Sequence, residues 1–595
     1  MSHVIAFGAV SSLGRGRAAF AVPDVGEVAP SCFAPVPAYE AAGVRRSTAA
    51  LIALSPADRA LDAGPVLLDL ALTDCLAALD VARPQWRTER VGLVIGTSSG
   101  GVDASTQVFR ALAAGRPPPR AAVAACTYAS GFSQAAASLG VPLAREASVL
   151  VACASSTIAL GLAHLWTATD ACDVVLAGGY DGLSLFVSSG FSSLAAGTAT
   201  QPRPFRAGRD GLALGEGAAM VAVVRRPAGA RSFFRIAGFG LSSDAVHVTA
   251  PDRHGAGLAR AAARALAQAG LTAAQVDLVS AHGTATPYND AAEASALASL
   301  GAAGVAVHAP KGALGHTLGA AGVLESLAAA DAMERGIHPA TAGNGDIDPE
   351  ARVRLVERST AQPIRSALKL SAAFGGANAA LVLLPGADLD DAFTEGRVPV
   401  HDSQEQGIVN LLVGPRILGP AVHVDEVPSA DDVVALTGAS LQRVAKLDDL
   451  ARLVVAAVAL LSRDHEPGWL DDKALVVQTA WATLAANQRY FLRVIERGAA
   501  LAEPRRFPAT SPNLAAGEAS ILLGIRGPVL TLGGSADLPD QATAVARDLL
   551  DAGAADAVIV VQVEEASAPA ALVAAHLGLA APRSRATARM LSLRG

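Results

Sequence analysis

Short apolar runs alternate with alanine-rich segments of helical periodicity along most of this 595-residue chain. The apolar runs predict strands at residues 91–95, 149–152, 174–177, 218–224, 278–281 and 379–384. Helices are predicted near residues 65–79, 156–167 and 257–269. Continuous apolar strands that alternate with helices are typical of an α/β protein whose sheets are covered on both faces.

One apolar run, residues 148–152, ends at Cys153, and an Ala/Leu-rich segment from Ile158 to Trp166 follows. This pattern places the cysteine at a turn between a strand and a helix. A helix N-terminus carries unpaired N–H groups and partial positive charge, so we expect a lowered thiol pKa there. The alternative is a small buried core residue, because unpaired cysteines are usually buried.

Two later loops each carry a histidine after an apolar run. His282 begins His-Gly-Thr-Ala-Thr, and His316 closes Lys-Gly-Ala-Leu-Gly-His; each loop leads into a helix-like segment. A single histidine beside an apolar run is more often structural than catalytic. One cysteine followed by two histidines in small-residue loops points instead to a shared site.

These three motifs resemble the Cys-His-His set of the β-ketoacyl synthases, with Cys153 in Val-Ala-Cys-Ala-Ser-Ser. Further matching segments lie, in the family's order, at residues 4–14, 92–101, 204–217 and 374–378. The resemblance implies a thiolase-like fold over residues 1–390, in which two similar halves stack as five αβαβα layers. It also implies a dimer formed through the N-terminal half.

The resemblance further implies the chemistry of the site. Cys153 would accept an acyl group from an acyl carrier protein, and the backbone N–H groups of Cys153 and Phe374 would form the oxyanion hole. His282 and His316 would donate Nε2–H groups to the enolate of a decarboxylating malonyl thioester. The substrates would be carried on the carrier protein's phosphopantetheine, and no cofactor or metal bound by the enzyme itself is expected.

Supporting roles follow for five more residues. Lys311 and Glu325 would support the histidine pair, although a surface ion pair is the alternative. Thr284 and Thr286 match threonines that bind the pantetheine arm, while Asp290 is a supporting residue; loop threonines and a helix-start aspartate also serve as turn and helix caps.

The chain departs from the family pattern at two positions. Ala372 stands at the position of the acyl-pocket gate, where the family has phenylalanine, and predicts room for a bulkier acyl chain. Arg206 replaces the usual aspartate. Arg45 and Arg46 match the region where relatives bind the acidic carrier protein, although exposed arginines are common.

Beyond the synthase segment, residues 391–406 are polar and predict a linker. Residues 407–595 show an internal similarity to the synthase N-terminal half, with Ala536 at the place of the nucleophile. We therefore predict a second, half-thiolase-like α/β domain without catalytic activity. A chance similarity between α/β segments is the alternative.

The composition of the chain limits the cellular compartment and the binding partners that we expect. A formal net charge of −7 without basic runs argues against nucleic-acid binding. The odd cysteine set lacks disulfide or metal-like spacing and favours a reducing, cytoplasmic compartment. No apolar run is long enough to predict a membrane span.

The predicted function is decarboxylative condensation in specialised fatty-acid or polyketide biosynthesis. The alternatives are acyl transfer without condensation and a structural or chain-length partner of another ketosynthase. We expect a homodimer, or a hetero-oligomer with a ketosynthase-like subunit.

Overall fold

The computed structural model describes residues 1–27, 32–60, 62–227, 229–386, 416–534 and 540–593. The predicted linker, 391–406, and the nucleophile-equivalent position Ala536 lie outside the described residues. The boundaries proposed for the two domains therefore stay predictions.

The described strands and helices have the following bounds. The strands are β1 Ser2–Ser11, β2 Gly14–Arg15, β3 Ala34–Pro35, β4 Thr48–Ala50, β5 Val91–Gly96, β6 Leu143–Val149, β7 Val174–Asp181, β8 Leu214–Gly215, β9 Gly217–Val224, β10 Phe234–Ser243, β11 Leu278–Ser280, β12 Ala306–His308, β13 Ile337–His338, β14 Arg354–Leu355, β15 Thr360–Ala361, β16 Ala367–Ala372, β17 Ala377–Pro385, β18 Arg416–Val424, β19 Ala474–Thr479, β20 Val529–Gly533, β21 Ala557–Glu564 and β22 Arg585–Ser592. The α-helices are α1 Pro37–Ala41, α2 Pro56–Arg59, α3 Ala63–Ala82, α4 Val102–Ala113, α5 Arg120–Ala125, α6 Ser130–Leu139, α7 Ser155–Ala168, α8 Leu185–Ser193, α9 Ala256–Ala269, α10 Pro287–Ser299, α11 Lys311–Leu314, α12 Ala321–Arg335, α13 Ala430–Thr437, α14 Leu441–Val444, α15 Asp449–Ser462, α16 Leu484–Arg497, α17 Leu514–Leu523, α18 Gln541–Asp551 and α19 Ala568–His576.

One strand order occurs in three parts of the described chain. The first sheet runs β6-β5-β7-β9-β1, with β6, β5 and β7 parallel and the next two contacts antiparallel. The second runs β12-β11-β16-β17-β10 with the same sequence of directions, and β14 extends it beside β12. The third, β20-β19-β21-β22-β18, shows the same order and directions.

The first two sheets form a layered stack that ends in helices. Helix α3 covers the outer face of the first sheet, α9 covers the second, and α7 and α12 pack against each other between them. The middle helices are almost wholly buried, including Trp166 of α7 and Leu327 of α12, as expected for helices that are apolar on all sides. This is the predicted thiolase-like, five-layered architecture.

The third sheet continues the first one edge to edge. Strand β20 pairs antiparallel with β6, with Leu532 opposite Val149 and Gly533 opposite Ser148. The N–H of Leu150 donates to the carbonyl of Thr531 at 2.9 Å. Apolar cores then run through both parts of the chain, since Trp166 clusters with Leu530 and Leu549. The C-terminal residues thus pack directly beside the strand that leads to Cys153.

The structure corrects one predicted strand. Residues 149–152 were expected to be extended, but β6 ends at Val149 and a 3-10 helix covers Ala152–Ala154. Ala152 has a φ of 43°, which is uncommon for a residue other than glycine. The apolar run is continuous in sequence because both the strand end and this turn are buried.

Among the described helices, none combines the length and the apolar character that crossing a lipid bilayer requires.

Candidate active site

Cys153 lies in the tight turn between β6 and helix α7. The 3-10 helix Ala152–Ala154 directly precedes Ser155, the first residue of α7. The hydroxyl of Ser155 donates to the carbonyl of Ala152 and accepts from the N–H of Val151 at 2.9 Å, which fixes the turn. The thiol therefore points out of a turn whose backbone is held on both sides.

His316 meets this thiol from the other half of the stack. Its Nε2 atom lies 2.9 Å from Sγ of Cys153. Its Nδ1 atom accepts a hydrogen bond from the N–H of Leu318 at 3.2 Å. Because Nδ1 acts as the acceptor in the neutral ring, the proton sits on Nε2 and points toward the sulfur.

His282 is held in the same tautomer by a lysine. The ammonium group of Lys311 donates to Nδ1 of His282 at 3.2 Å and to the carbonyl of the same residue at 2.7 Å. The ring centroids of His282 and His316 lie 5.6 Å apart, almost perpendicular. The site thus contains two neutral imidazoles held as Nε2–H donors, and that of His316 faces the sulfur of Cys153.

Glu325 balances the charge beneath this pair. One carboxylate oxygen lies 2.7 Å from the ammonium of Lys311, and the other lies 2.7 Å from that of Lys369. All three side chains are buried. Lys369 and its role were not predicted, because its partner is 44 positions away and nothing in the local sequence around β16 marks it.

Burial sets the protonation of the reacting groups. It lowers the pKa of His282 and His316 well below the ordinary value, and the positive charge of Lys311 adds to this effect. Burial raises the pKa of Cys153 to about 12, although Lys311 opposes the shift. The expected lowering of the thiol pKa by the helix terminus is therefore wrong, since desolvation outweighs it.

The side chains of Cys153, His282 and His316 line one cavity of about 430 Å³. Thr284, Thr286 and Ala372 also line this cavity, and their roles in binding pantetheine and as the pocket gate stay predictions. Further lining residues are Phe191, Asp244, Thr249, Tyr288 and Asn289. The threonine hydroxyls lie 2.9 Å apart.

Two buried carboxylates shape the loop around His282 rather than touching the cysteine. Glu293 accepts the N–H groups of His282 and Gly283 at 2.6 and 2.8 Å, and burial raises its pKa to about 7. Asp290 accepts the N–H groups of Phe205 and Ala285 at 2.8 and 3.2 Å. Asp290 was predicted as a supporting residue, whereas no role was predicted for Glu293, which acts through the backbone of the His282 loop.

Phe374 begins a glycine turn at the edge of the cavity. The 3-10 helix Phe374–Gly376 contains two glycines with φ of 79° and 78°, a region that favours glycine. The ring of Phe374 stacks on that of Phe191, with 5.8 Å between the ring centroids. Phe374 and Cys153 also line a second cavity, of about 40 Å³, whose other walls include Phe507, Thr510 and Ser511 of the C-terminal region.

The three arginines singled out from the sequence line neither of the two cavities that reach Cys153. Arg206 is buried, and its guanidinium donates to the carbonyl of Gly345 and to Glu357. Arg46 donates to the carbonyls of Gly197 and Asp210, beside the larger cavity, and Arg45 is exposed. Across the described residues, no cluster of His, Cys, Asp or Glu side chains could hold a metal ion.

Comparison with known families accounts for this arrangement. The family model "Beta-ketoacyl synthase, N-terminal domain" matches residues 38–228, and "Beta-ketoacyl synthase, C-terminal domain" matches residues 233–344, together more than half of the chain. The curated 3-oxoacyl-[acyl-carrier-protein] synthase 2 of Rhizobium meliloti is 37% identical over 253 residues, which is 40% of this chain and 60% of the relative. The chain thus spans less than two thirds of that relative's length.

Two further relatives extend the comparison. Nodulation protein E of Rhizobium meliloti is 32% identical over 332 residues, which cover 54% of this chain and 82% of that protein. A solved structure titled "PfaC Keto synthase-Chain length factor" covers 99% of this chain and 78% of its own, with a TM-score of 0.71 and 17% identity, and shows a shared fold. With the matched residues holding Cys153, His282 and His316, the chain belongs to the β-ketoacyl synthase family.

Proposed function

We propose that the protein condenses an acyl group on Cys153 with a malonyl-type thioester carried by acyl carrier protein. The observation that carries this proposal is the single cavity in which the thiol meets two imidazoles held as Nε2–H donors. The curated synthase relative supports the same reaction class.

In the first step, the sulfur of Cys153 attacks the carbonyl carbon of the carrier-bound thioester. A new carbon–sulfur bond forms, the bond to the pantetheine sulfur breaks, and the thiol proton leaves with the carrier thiol. The N–H groups of Cys153 and Phe374 stabilise the tetrahedral oxyanion. Since burial keeps the thiol protonated, proton transfer accompanies this attack.

In the second step, the malonyl group loses carbon dioxide and its electrons form an enolate. The Nε2–H groups of His282 and His316 stabilise the enolate oxygen, and Thr284 and Thr286 bind the pantetheine arm. The enolate carbon then attacks the acyl carbonyl, a carbon–carbon bond forms, and the sulfur of Cys153 leaves and takes up a proton. Neutral imidazoles suit this role because they donate a hydrogen bond to the enolate oxygen, whereas a charged imidazolium could transfer its proton to the enolate.

Two variants test whether Cys153 carries the acylation step and the two histidines carry the decarboxylation step. Cys153→Ala should take up no acyl label from acyl carrier protein, whereas a His282→Ala, His316→Ala double variant should acylate and yet release no carbon dioxide from malonyl carrier protein. Cys32→Ser, which changes a cysteine outside both cavities, serves as the control. Acylation of Cys153→Ala would refute the nucleophile, and a product formed by acyl transfer alone would favour the non-condensing alternative.

We further propose that the second domain, residues 407–595, is a non-catalytic partner whose described residues bound the acyl pocket of the first domain. The support is specific: Phe507, Thr510 and Ser511 line the small cavity that reaches Cys153. Tyr128 of the first domain donates to the carbonyl of Thr510 at 2.9 Å and joins the two walls. A degenerate copy of the synthase N-terminal half, bound where a second subunit would lie, explains the repeated strand order.

A further inference from the structure

We propose that Asn513 is a positioning residue that holds the Phe374–Gly376 turn, and with it the oxyanion hole, from the C-terminal domain. The side-chain amide of Asn513 donates to the carbonyl of Phe374 at 2.6 Å. The inference rests on the proposed function, because it assigns a cause to the geometry of that same site.

The turn depends on bonds from outside for its shape. Both of its glycines adopt positive φ, and glycine exchanges readily between backbone conformations. The peptide unit that joins Phe374 to Gly375 is held at both ends: Asn513 binds its carbonyl, and the carbonyl of Val248 accepts its N–H at 2.7 Å. Loss of either bond would leave less to fix the turn that carries the N–H of Phe374, the donor assigned above to the oxyanion hole.

Asn513 is oriented for this contact rather than for capping its own helix. It occupies the N-cap position of helix α17, where asparagine normally accepts from the helix backbone, but it makes no side-chain cap hydrogen bond. Its Oδ1 atom accepts from the hydroxyl of Ser511 at 2.7 Å, which aims the NH₂ group at Phe374. The side chain is buried.

A second residue of the same helix presses on the same turn. A Cβ atom added to Gly517 would lie 2.6 Å from the Cα of Gly375, so the helix backbone and the turn are in direct contact. Only glycine at position 517 allows this approach. Helix α17 therefore both binds the turn and limits the space in which it can move.

The matching helix of the first domain lacks both features. Helices α6 and α17 have the same length and each ends at a left-handed glycine, Gly140 and Gly524. The N-cap residue of α6 is Ala129, and its fourth residue is Ser133 where α17 has Gly517. Phe-Gly-Gly occurs once in the sequence, at the turn that α17 contacts. The amide donor Asn513 and the glycine Gly517 thus occur in the helix that contacts the Phe-Gly-Gly turn, and not in the matching helix α6.

The test separates the two half-reactions in the full-length protein. Asn513→Asp keeps the size of the side chain and its acceptor for Ser511 but places an acceptor against the carbonyl of Phe374. We expect acyl transfer to Cys153 to fall about 10- to 100-fold, somewhat less than for outright loss of an oxyanion donor. Carbon dioxide release from malonyl carrier protein, which uses the histidine pair, should change by less than about threefold, and KM for the carrier protein should hold.

Two further variants complete the design. Gly517→Ala keeps Asn513 but displaces the turn, and should cause the same selective loss. Ser520→Ala removes a 2.7 Å hydrogen bond to Ser243 from the same helix and should leave both half-reactions near the wild-type rate. Wild-type acylation in both turn variants, or an equal loss in Ser520→Ala, would overturn the inference. Failure of the wild-type protein to acylate Cys153 would instead overturn the proposed function.

Discussion

The Nε2 atom of His316 lies 2.9 Å from the sulfur of Cys153, and its proton points toward that sulfur. The orientation follows from Nδ1, which accepts the N–H of Leu318. His316 is thus a hydrogen-bond donor to the thiol of Cys153, the proposed nucleophile, rather than its base. This distinguishes the site from a cysteine–histidine ion pair, in which the imidazolium lowers the thiol pKa.

The pH dependence of Cys153 alkylation follows from its raised pKa. A thiol with a pKa of about 12 is protonated at neutral pH, and its reactive thiolate fraction increases about tenfold for each pH unit below that value. We expect iodoacetamide to label Cys153 slowly at pH 7 and progressively faster up to pH 9, with mass spectrometry locating the label. A plateau below pH 8 would contradict the raised pKa.

Replacing Lys311 should separate decarboxylation from acylation. In Lys311→Met, Nδ1 of His282 loses its donor, so the ring can protonate there and withdraw Nε2–H from the cavity. We expect carbon dioxide release from malonyl carrier protein to fall about 10²- to 10³-fold, with acyl transfer to Cys153 changed less than about threefold. Lys369→Met is the matched control because Lys369 binds Glu325 but not His282. Equal effects of both variants on decarboxylation would argue against tautomer control.

Glu325 should matter more for stability than either of its lysines. Glu325→Leu leaves two buried ammonium groups without their carboxylate, which we expect to lower the free energy of unfolding by about 3–5 kcal/mol. Lys369→Met leaves the ion pair between Lys311 and Glu325, which has no net charge, and should lower the free energy of unfolding by less. Asp74→Asn, in an exposed pair with Arg15, should change it by at most about 1 kcal/mol. Denaturant unfolding of the three variants measures the order, and a Glu325→Leu protein as stable as Lys369→Met would contradict it.

Phe507 should limit acyl-chain length. Its ring lines the small cavity beside Cys153 and contacts Phe191 at 5.4 Å. Phe507→Ala should extend the longest acyl chain accepted by two or more carbons, as measured by competition among acyl carrier proteins. Phe491→Ala removes a buried aromatic ring that contacts Phe186 in the same interface but does not line that cavity. An unchanged length limit in Phe507→Ala would refute the pocket-wall role.

The local motifs were predictable because their chemistry lies in short segments. The two histidine loops and the alternation of strands and helices follow from nearby residues, and so does the turn at Cys153, although the strand before it ends earlier than predicted. The contributions of Lys369, Glu293 and Asn513 depend on partners in other elements, and no local pattern marks them. The thiol pKa was predicted in the wrong direction because the helix terminus is a local feature, whereas desolvation comes from the whole surrounding core.

The antiparallel contact between β6 and β20 occupies a strand edge that would otherwise be open to another molecule. A second copy of this chain cannot add its own strand there, so any further association must use a different surface. Because β6 and β20 belong to one chain, their pairing is fixed at a ratio of one to one and does not depend on protein concentration.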